Sequence, residues 1–293
     1  MTQLQGIPLI KQGKVRDIYR LDKERLLIVA SDRVSAFDHI LNQQIPHKGR
    51  ILNGISLFWF NRFADRVKNH VLSADSAELE AKLSAEEREY VRDRFVIVRQ
   101  VDILPFEFIV RGYLTGSYYK MYQADREGLP VPLPEGLTQH AELPAVILTP
   151  TTKAESGKDL PLTPKEVMRE IGEDTYRFIE DTACRLYLMA KGYLKERGFV
   201  LVDTKFEFGM LGHDVVLADE MLTPDSSRYW KTGTHDSYDK QVIRNYLENT
   251  GWDKKTPPIP DVPRPVIGRA YDKYREMYRA ITGTAFNEQD YAY

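Results

Sequence analysis

The 293-residue chain has a single cysteine, Cys184, so no disulfide can form within it. Cystine-stapled secreted scaffolds are excluded, and a reducing compartment is expected. Cys184 lies among apolar residues of a predicted helix and reads as a buried thiol, not a nucleophile or metal ligand. No apolar run approaches the length of a membrane span. Met1 leads into polar and short apolar segments without a signal-peptide pattern. The expectation is a cytoplasmic protein with no membrane partner. Net charge is only −2, from 41 basic and 43 acidic residues. No global field therefore favours nucleic acid or an anionic surface, and no nucleic-acid partner is expected. Internal repeats and low-complexity tracts are missing. So are a Walker loop and the His-Arg-Asp and Asp-Phe-Gly motifs of protein kinases. What is present, 42% hydrophobic and 29% charged residues, is the balance of a globular protein. The length suits two domains or one large one.

The most informative stretch runs from Leu201 to Gly209, LVDTKFEFG. It alternates like a β-strand, with aromatic and β-branched residues and a glycine to end it. Side chains two apart share a face, so Asp203, Lys205 and Glu207 stand in one row. Val202, Phe206 and Phe208 point the other way, into a core. Gly212-His213-Asp214 then forms a turn, and Val215 to Glu220 reads as the returning strand. That hairpin brings Asp219 or Glu220 near the row. Carboxylates beside a lysine suit Mg²⁺ bridging nucleotide phosphates. A structural salt-bridge ladder fits the same spacing.

Other stretches carry weaker signals. Residues 9–30 read as a hairpin in which Gly13 is flanked by Lys11, Lys14 and Arg16. Such a loop would lie over a polyphosphate, or be an ordinary hairpin tip. Ser31 to Asp38 follows as a binding loop or a capped turn. A helix is expected over 51–67 with an apolar stripe from Ile51 to Phe63. Lys48 and Arg50, just ahead of it, would contact an anion or stay solvated. Residues 73–94 look helical, with Ser84 and Glu87 forming a capping box. Strands are expected over 95–101 and 103–111. The second ends in a Gly112 to Ser117 turn that opens a helix. Free N–H groups and the helix dipole favour an anion there, with Arg111 and Ser117 adding a fork and a hydroxyl. A plain strand–helix junction is the alternative. Residues 123–163 read as loop with short extended pieces, a lid or binding segment. Thr163, Pro164 and Glu166 open a helix expected to reach Arg197, with Gly198 as its cap. Leu222 to Trp230 reads as a polar loop in which Ser226, Ser227 and Arg228 hold a second anion or cap backbone. A short helix is expected over 236–248, with Lys240 and Arg244 on one face. A last helix is expected over 266–281.

Five separated motifs together resemble one family. They are Gly13 to Asp17, Ser35 to Asp38, Pro105 to Arg111 running on to Ser117, Leu201 to Gly209, and Asp219-Glu220 with Pro224 to Trp230. In this order they resemble the SAICAR synthetases, and the length and the 149–155 segment resemble the longer, fungal-like branch. The resemblance implies an α+β fold. An antiparallel N-terminal nucleotide-binding domain over 1–112 would be distantly like the kinase small lobe. An ATP-grasp-type α+β domain would cover 113–234, and C-terminal helices over 235–293 would pack back on the body. It implies a ligase that uses ATP to join L-aspartate to the carboxylate of carboxyaminoimidazole ribonucleotide (CAIR) in purine synthesis, through an acyl phosphate. Mg²⁺ would be the cofactor and ATP a cosubstrate. A monomer is expected, with a homodimer the alternative.

Within that reaction, the physical chemistry of the residues assigns these roles as expectations. Lys11, Gly13, Lys14, Val15 and Arg16 cover the ATP phosphates. Glu107, Phe108 and Val110 hold adenine through backbone groups, with Lys153 a further ATP contact. Glu207 and Asp219 ligate the metal, and Lys205 bridges phosphate or the substrate carboxylate. Arg111, Ser117 and Arg228 hold the ribonucleotide phosphate, with Asp225, Ser227 and Lys240 also at the substrate. Ser35 and Asp38 lie near the carboxylate and aspartate. Asp203 takes the amine proton or orients Lys205. A kinase and a non-catalytic nucleotide-binding module are the rivals.

Overall fold

The computed structural model describes residues 4–37, 39–153 and 159–288. In chain order its first part contains β1 (Leu9–Gln12), β2 (Arg16–Arg20), β3 (Arg25–Ala30), β4 (Arg33–Ala36), β5 (His39–Gln44), α1 (Lys48–Arg62), β6 (Val71–Ser73), α2 (Ala85–Val91) and β7 (Phe95–Arg99). The expected hairpin over 9–30 is a three-strand meander that extends into a five-stranded antiparallel sheet, order β1-β2-β3-β7-β6. Tyr19, Leu27, Val29, Phe95 and Ile97 pack with Leu79 and Leu83 in a small core of their own. Burial of each large side chain contributes about 1.5–3 kcal/mol. On the other side α1 docks, and Asn53 Nδ2 donates to the carbonyls of Phe95 (2.9 Å) and Asp93 (3.1 Å). The long helix expected over 73–94 is shorter. A strand and a turn of 3₁₀ helix precede α2, which begins at the expected capping box of Ser84 and Glu87.

The second part contains β8 (Asp102–Ile103), β9 (Phe106–Tyr113), α3 (Gly116–Ala124), β10 (Glu142–Thr152), α4 (Pro164–Ile171), α5 (Glu173–Lys195), β11 (Phe199–Leu211), β12 (Asp214–Ala218), β13 (Ser227–Lys231), α6 (Gln241–Asn249) and α7 (Arg264–Thr282). The larger sheet has the order β10-β9-β11-β12, with β8 and β13 also pairing β11, all antiparallel. The change of sheet falls between Arg99 and Asp102, ahead of the boundary expected at 112, because β9 pairs with β10 and β11. The whole is the expected α+β architecture with helices at the C-terminal end. No described helix is long and apolar enough to cross a membrane.

Several elements differ from expectation. The region read as loop over 123–163 contains the eleven-residue β10, an edge strand. The polar loop at 222–230 ends as β13, paired along the first half of β11. The single helix expected over 164–197 is two, broken at Gly172, whose φ of 86° and ψ of 150° suit glycine alone. Gly209 does not end β11, which continues to Leu211 in register with Asp214. Behind the larger sheet, Phe206 and Phe208 are fully buried with Ile179, Leu186 and Tyr187 of α5. Cys184 on that helix is half-buried, and burial raises its thiol to about 11. The two sheets meet where Leu217 N donates to the Lys68 carbonyl (2.9 Å) and His70 N to the Leu217 carbonyl (3.1 Å).

Candidate active site

The site is built on β11. Asp203, Lys205 and Glu207 alternate with the buried Thr204, Phe206 and Phe208, as period-2 geometry requires. At the centre, Lys205 Nζ donates to Glu207 Oε1 at 2.6 Å and to Glu107 Oε1, across on β9, at 2.8 Å. Lys153 Nζ holds the other oxygen of Glu207. Burial opposes charge on both partners, but the facing charges win. Lys205 is raised well above the ordinary lysine range, and Glu207 is drawn below the ordinary carboxylate range.

Downstream, Asp219 adopts a φ of 63°, which takes it out of the β12 ladder after Ala218. Asp219 and Glu220 both turn to Arg16. Its guanidinium reaches Asp219 Oδ2 and Glu220 Oε2, each at 2.8 Å. Burial, with Glu207 close by, raises the Asp219 carboxyl against the pull of Arg16. Glu220 is tied further by the Thr223 hydroxyl at 2.6 Å.

At the other end of the row, Asp203 lies between two guanidiniums. Arg228 Nη2 and Nε stand 2.9 and 3.1 Å from its oxygens, and Arg111 Nη1 stands at 3.5 Å. Arg111 is buried, its Nε donating to Thr149 Oγ1 at 2.8 Å, and burial pulls it down to about 10 despite Asp203. Arg228 lies over the start of α3. A Cβ at Gly116, where φ is +61°, would sit 2.2 Å from its Nη1. Ser117, in the first turn of α3, is exposed beside this pair. Arg111, Ser117, Asp203, Lys205 and Arg228 line one cavity of about 170 Å³, together with Asp225, Ser227 and Lys240. The Ser227 hydroxyl is 2.8 Å from Thr204 Oγ1. A larger cavity of about 570 Å³ opens around Arg66, Phe178 and His213, away from these groups.

The expected residues fall into two groups. Arg111, Ser117, Asp203, Lys205, Asp225, Ser227, Arg228 and Lys240 converge on one cavity, and Glu107, Lys153, Glu207, Asp219 and Arg16 continue from it. Lys11 is exposed on β1, and the Gly13 amide closes a turn onto the Arg16 carbonyl at 2.8 Å. Lys14 is exposed in that turn, and the Val15 carbonyl accepts from both Ser31 N and Ser31 Oγ. Ser35 is half-buried on β4. Asp38 lies outside the described residues. Two expectations change. Phe108 and Val110 are fully buried in the middle of the sheet, paired to Pro150 and Leu148 on one side and Phe206 and Thr204 on the other, so their backbone is committed to ladders rather than to adenine. Asp203 does not orient Lys205. Its oxygens face Arg228 and Arg111.

Sequence reasoning missed three supports. Arg33 grips both oxygens of Asp17 and donates to the Gly13 carbonyl at 3.0 Å, pinning the basic turn. Lys48, expected to be solvated or to meet an anion, is wholly buried, with Nζ 2.6 Å from Asp225 Oδ2. The Tyr274 hydroxyl donates to Asp225 Oδ1 at 2.8 Å. Burial alone would raise Asp225, but Lys48 and Lys240 bring it far below the ordinary range. No local signal marks these pairs, which join segments far apart in the chain.

An acid–base row with two arginines at one end, lining a cavity on the larger sheet, is suited to anionic small molecules. The family model for SAICAR synthetase matches residues 9–259. The chain belongs to the SAICAR synthetase family, the ATP-dependent ligases that join aspartate to CAIR in purine biosynthesis. The phosphoribosylaminoimidazole-succinocarboxamide synthase of Thermodesulfovibrio yellowstonii is 43% identical over 287 residues, covering 96% of this chain and 97% of that one. The solved SAICAR synthase of Saccharomyces cerevisiae, in complex with SAICAR, superposes with a TM-score of 0.88 at 36% identity over 98% of this chain and 99% of that one. A SAICAR synthetase in complex with ADP gives a TM-score of 0.70 at 26% identity over 94% and 99%. The longer form therefore matches the yeast enzyme closely, and the Thermodesulfovibrio match shows that this length is not confined to fungi.

Proposed function

We propose that this chain carries out its family's ligation in the cytoplasm, as a monomer, with β11 as the floor of the reaction. The observation that carries the reading is the row Asp203, Lys205 and Glu207, with Arg111 and Arg228 at one end and Arg16 and Asp219 at the other. The ribonucleotide phosphate is held by Arg111, Arg228, Ser117 and the start of α3. The ATP phosphates lie under the Lys11 to Arg16 turn, toward Lys153 and Lys205. The first hundred residues supply that turn, the larger sheet supplies the chemistry, and the helices from 235 onward close the substrate side.

Glu207 and Asp219 fit a hard divalent cation. Among the described residues no three His, Cys, Asp or Glu side chains converge as a ready metal cage. Mg²⁺, however, is usually held by one or two carboxylates plus substrate phosphates. Burial, with Glu207 adding to it, raises the Asp219 carboxyl, and a bound cation would favour its charged form. When bound, Mg²⁺ would neutralise the polyphosphate and orient it.

A carboxylate is a poor electrophile, and its charge repels ATP, so positioning and charge neutralisation supply most of the barrier reduction. Lys205 steadies the substrate carboxylate against the γ-phosphate, whose transfer expels ADP and leaves an acyl phosphate. The aspartate amine then attacks the acyl carbon. Phosphate departs as the C–N bond forms and carries off the amine proton. Asp203 keeps Arg111 and Arg228 aligned throughout. Ser35 lies toward the aspartate side.

The test is ADP release with ATP, CAIR or aspartate omitted in turn. Sustained release over many turnovers should require all three, with free phosphate as the second product. A stable phosphoryl product would indicate a kinase. Glu207→Gln should cut Mg-dependent turnover by about 100-fold or more while the protein stays folded. An unchanged rate would remove the metal assignment.

A further inference from the structure

Asp239 is a carboxylate that neither the family motifs nor the mechanism above employs. It stands two residues before α6 and is 1% exposed. One oxygen, Oδ1, caps the helix by accepting from Gln241 N at 2.6 Å. The other, Oδ2, is buried and has no hydrogen-bond partner among the described residues. Buried polar atoms are almost always satisfied, by protein, water or ligand, so this cavity-lining oxygen is open to a donor from a bound molecule. Asp239 lines the cavity that also contains Arg228, Arg244 and Lys240.

The neighbours restrict what Oδ2 receives. Arg228 and Arg244 attract the carboxylate, Asp203 repels it, and burial raises it to about 6. A phosphate or carboxylate oxygen would not approach a carboxylate oxygen, so the ligand atom is a donor. The donor belongs to the ribonucleotide rather than to the aspartate amine. The amine must reach the reacting carboxyl beside Lys205 and Glu207. Asp239 instead shares Arg228 with the phosphate end, and in a ribonucleotide the group joined to the phosphate is the ribose, with its two hydroxyls.

We propose that Asp239 accepts a hydrogen bond from a ribose hydroxyl of the ribonucleotide substrate and makes the site selective for ribose over deoxyribose. This rests on the proposed position of the ribonucleotide phosphate. Selectivity of this kind arises because a site built to bind a hydroxyl is left with an unpaired buried group when the hydroxyl is missing.

The test compares CAIR with its 2′-deoxy and 3′-deoxy analogues in the wild type and in Asp239→Ser. Serine retains a helix-capping oxygen but withdraws the inward one. In the wild type one of the two analogues should raise KM by about 10- to 100-fold, the worth of a hydrogen bond to a charged group. Asp239→Ser should raise the KM for CAIR by a similar factor, leave the KM for ATP unchanged, and no longer distinguish that analogue from CAIR. A variant that still rejects the analogue, or a wild type that accepts both analogues as well as CAIR, would overturn the proposal. An equal loss for ATP and CAIR would mean that Asp239 only supports the fold. Asp239→Thr, which also keeps a capping hydroxyl and lacks the inward oxygen, provides the same comparison should the serine variant fail to fold. Failure of the underlying phosphate placement would register separately, as an unchanged CAIR affinity in Arg111→Ala.

Discussion

Replacing Lys48 by Met tests how the substrate loop is anchored. Lys48 opens α1, its side chain is wholly buried, and its ammonium holds Asp225 from beneath while Tyr274 of α7 holds the other oxygen. Methionine keeps most of the volume and removes the charge, leaving Asp225 ionised in a dry site. Breaking one side of a buried pair costs about 3–5 kcal/mol, chiefly the penalty of the stranded charge. Lys240 still attracts Asp225, so the lower end, about 3 kcal/mol, is expected. The pH dependence follows from the sign of the shift. In the wild type the folded Asp225 carboxyl lies below its ordinary value. Its stabilisation is therefore complete above the ordinary carboxylate range and is lost only as pH falls through the depressed value. In the variant burial is no longer opposed by Lys48, the carboxyl moves upward, and protonation on mild acidification relieves the penalty. Urea unfolding should show the largest gap between wild type and variant at about pH 7 and a smaller gap at about pH 5. A loss below about 1 kcal/mol, or a gap that does not change with pH, would refute this account of the pair.

Two further substitutions probe the phosphate end. Arg111→Ala should raise the KM for CAIR by about 10- to 100-fold and hardly alter that for ATP. A selective ATP defect in steady-state assays would mean that the two ligands occupy each other's places. Gly116→Ala adds a methyl 2.2 Å from Arg228 Nη1 at a φ of +61°. It should cost about 1–2 kcal/mol in thermal unfolding and weaken CAIR binding at least about tenfold. Wild-type CAIR affinity in that variant would separate Arg228 from the ribonucleotide.

What could be read from the sequence was local. The β11 row is visible because a strand's period of two is written in successive residues. The capping boxes at Ser84 and Thr163 are visible because they span four residues. Where context decides, the reading failed. β10 carries Pro144 and Pro150 and looked like loop, but an edge strand tolerates proline because one side of its backbone needs no partner. Ser227 to Lys231 became a strand because β11 offered an open edge. Gly172 falls inside the single helix expected over 164–197 and is instead a break. Lys48 and Asp225 are 177 positions apart, so nothing near either one announces their contact. Phe108 and Val110 were placed at adenine by likeness of motif, and the two flanking ladders that occupy them belong to tertiary pairing alone.

Because one continuous strand bears both the partner of the two arginines proposed for the phosphate and the partner of Lys205, it acts as a ruler. Asp203 and Glu207 are four residues apart, a span of about 13 Å at the rise of an extended chain. Neither end can shift without dragging the other, since neighbouring strands flank β11 on both sides. With the substrate placed as proposed, tolerance of its length is expected to be low: a ligand lengthened between its phosphate and its carboxyl would be seated at one mark and overshoot the next.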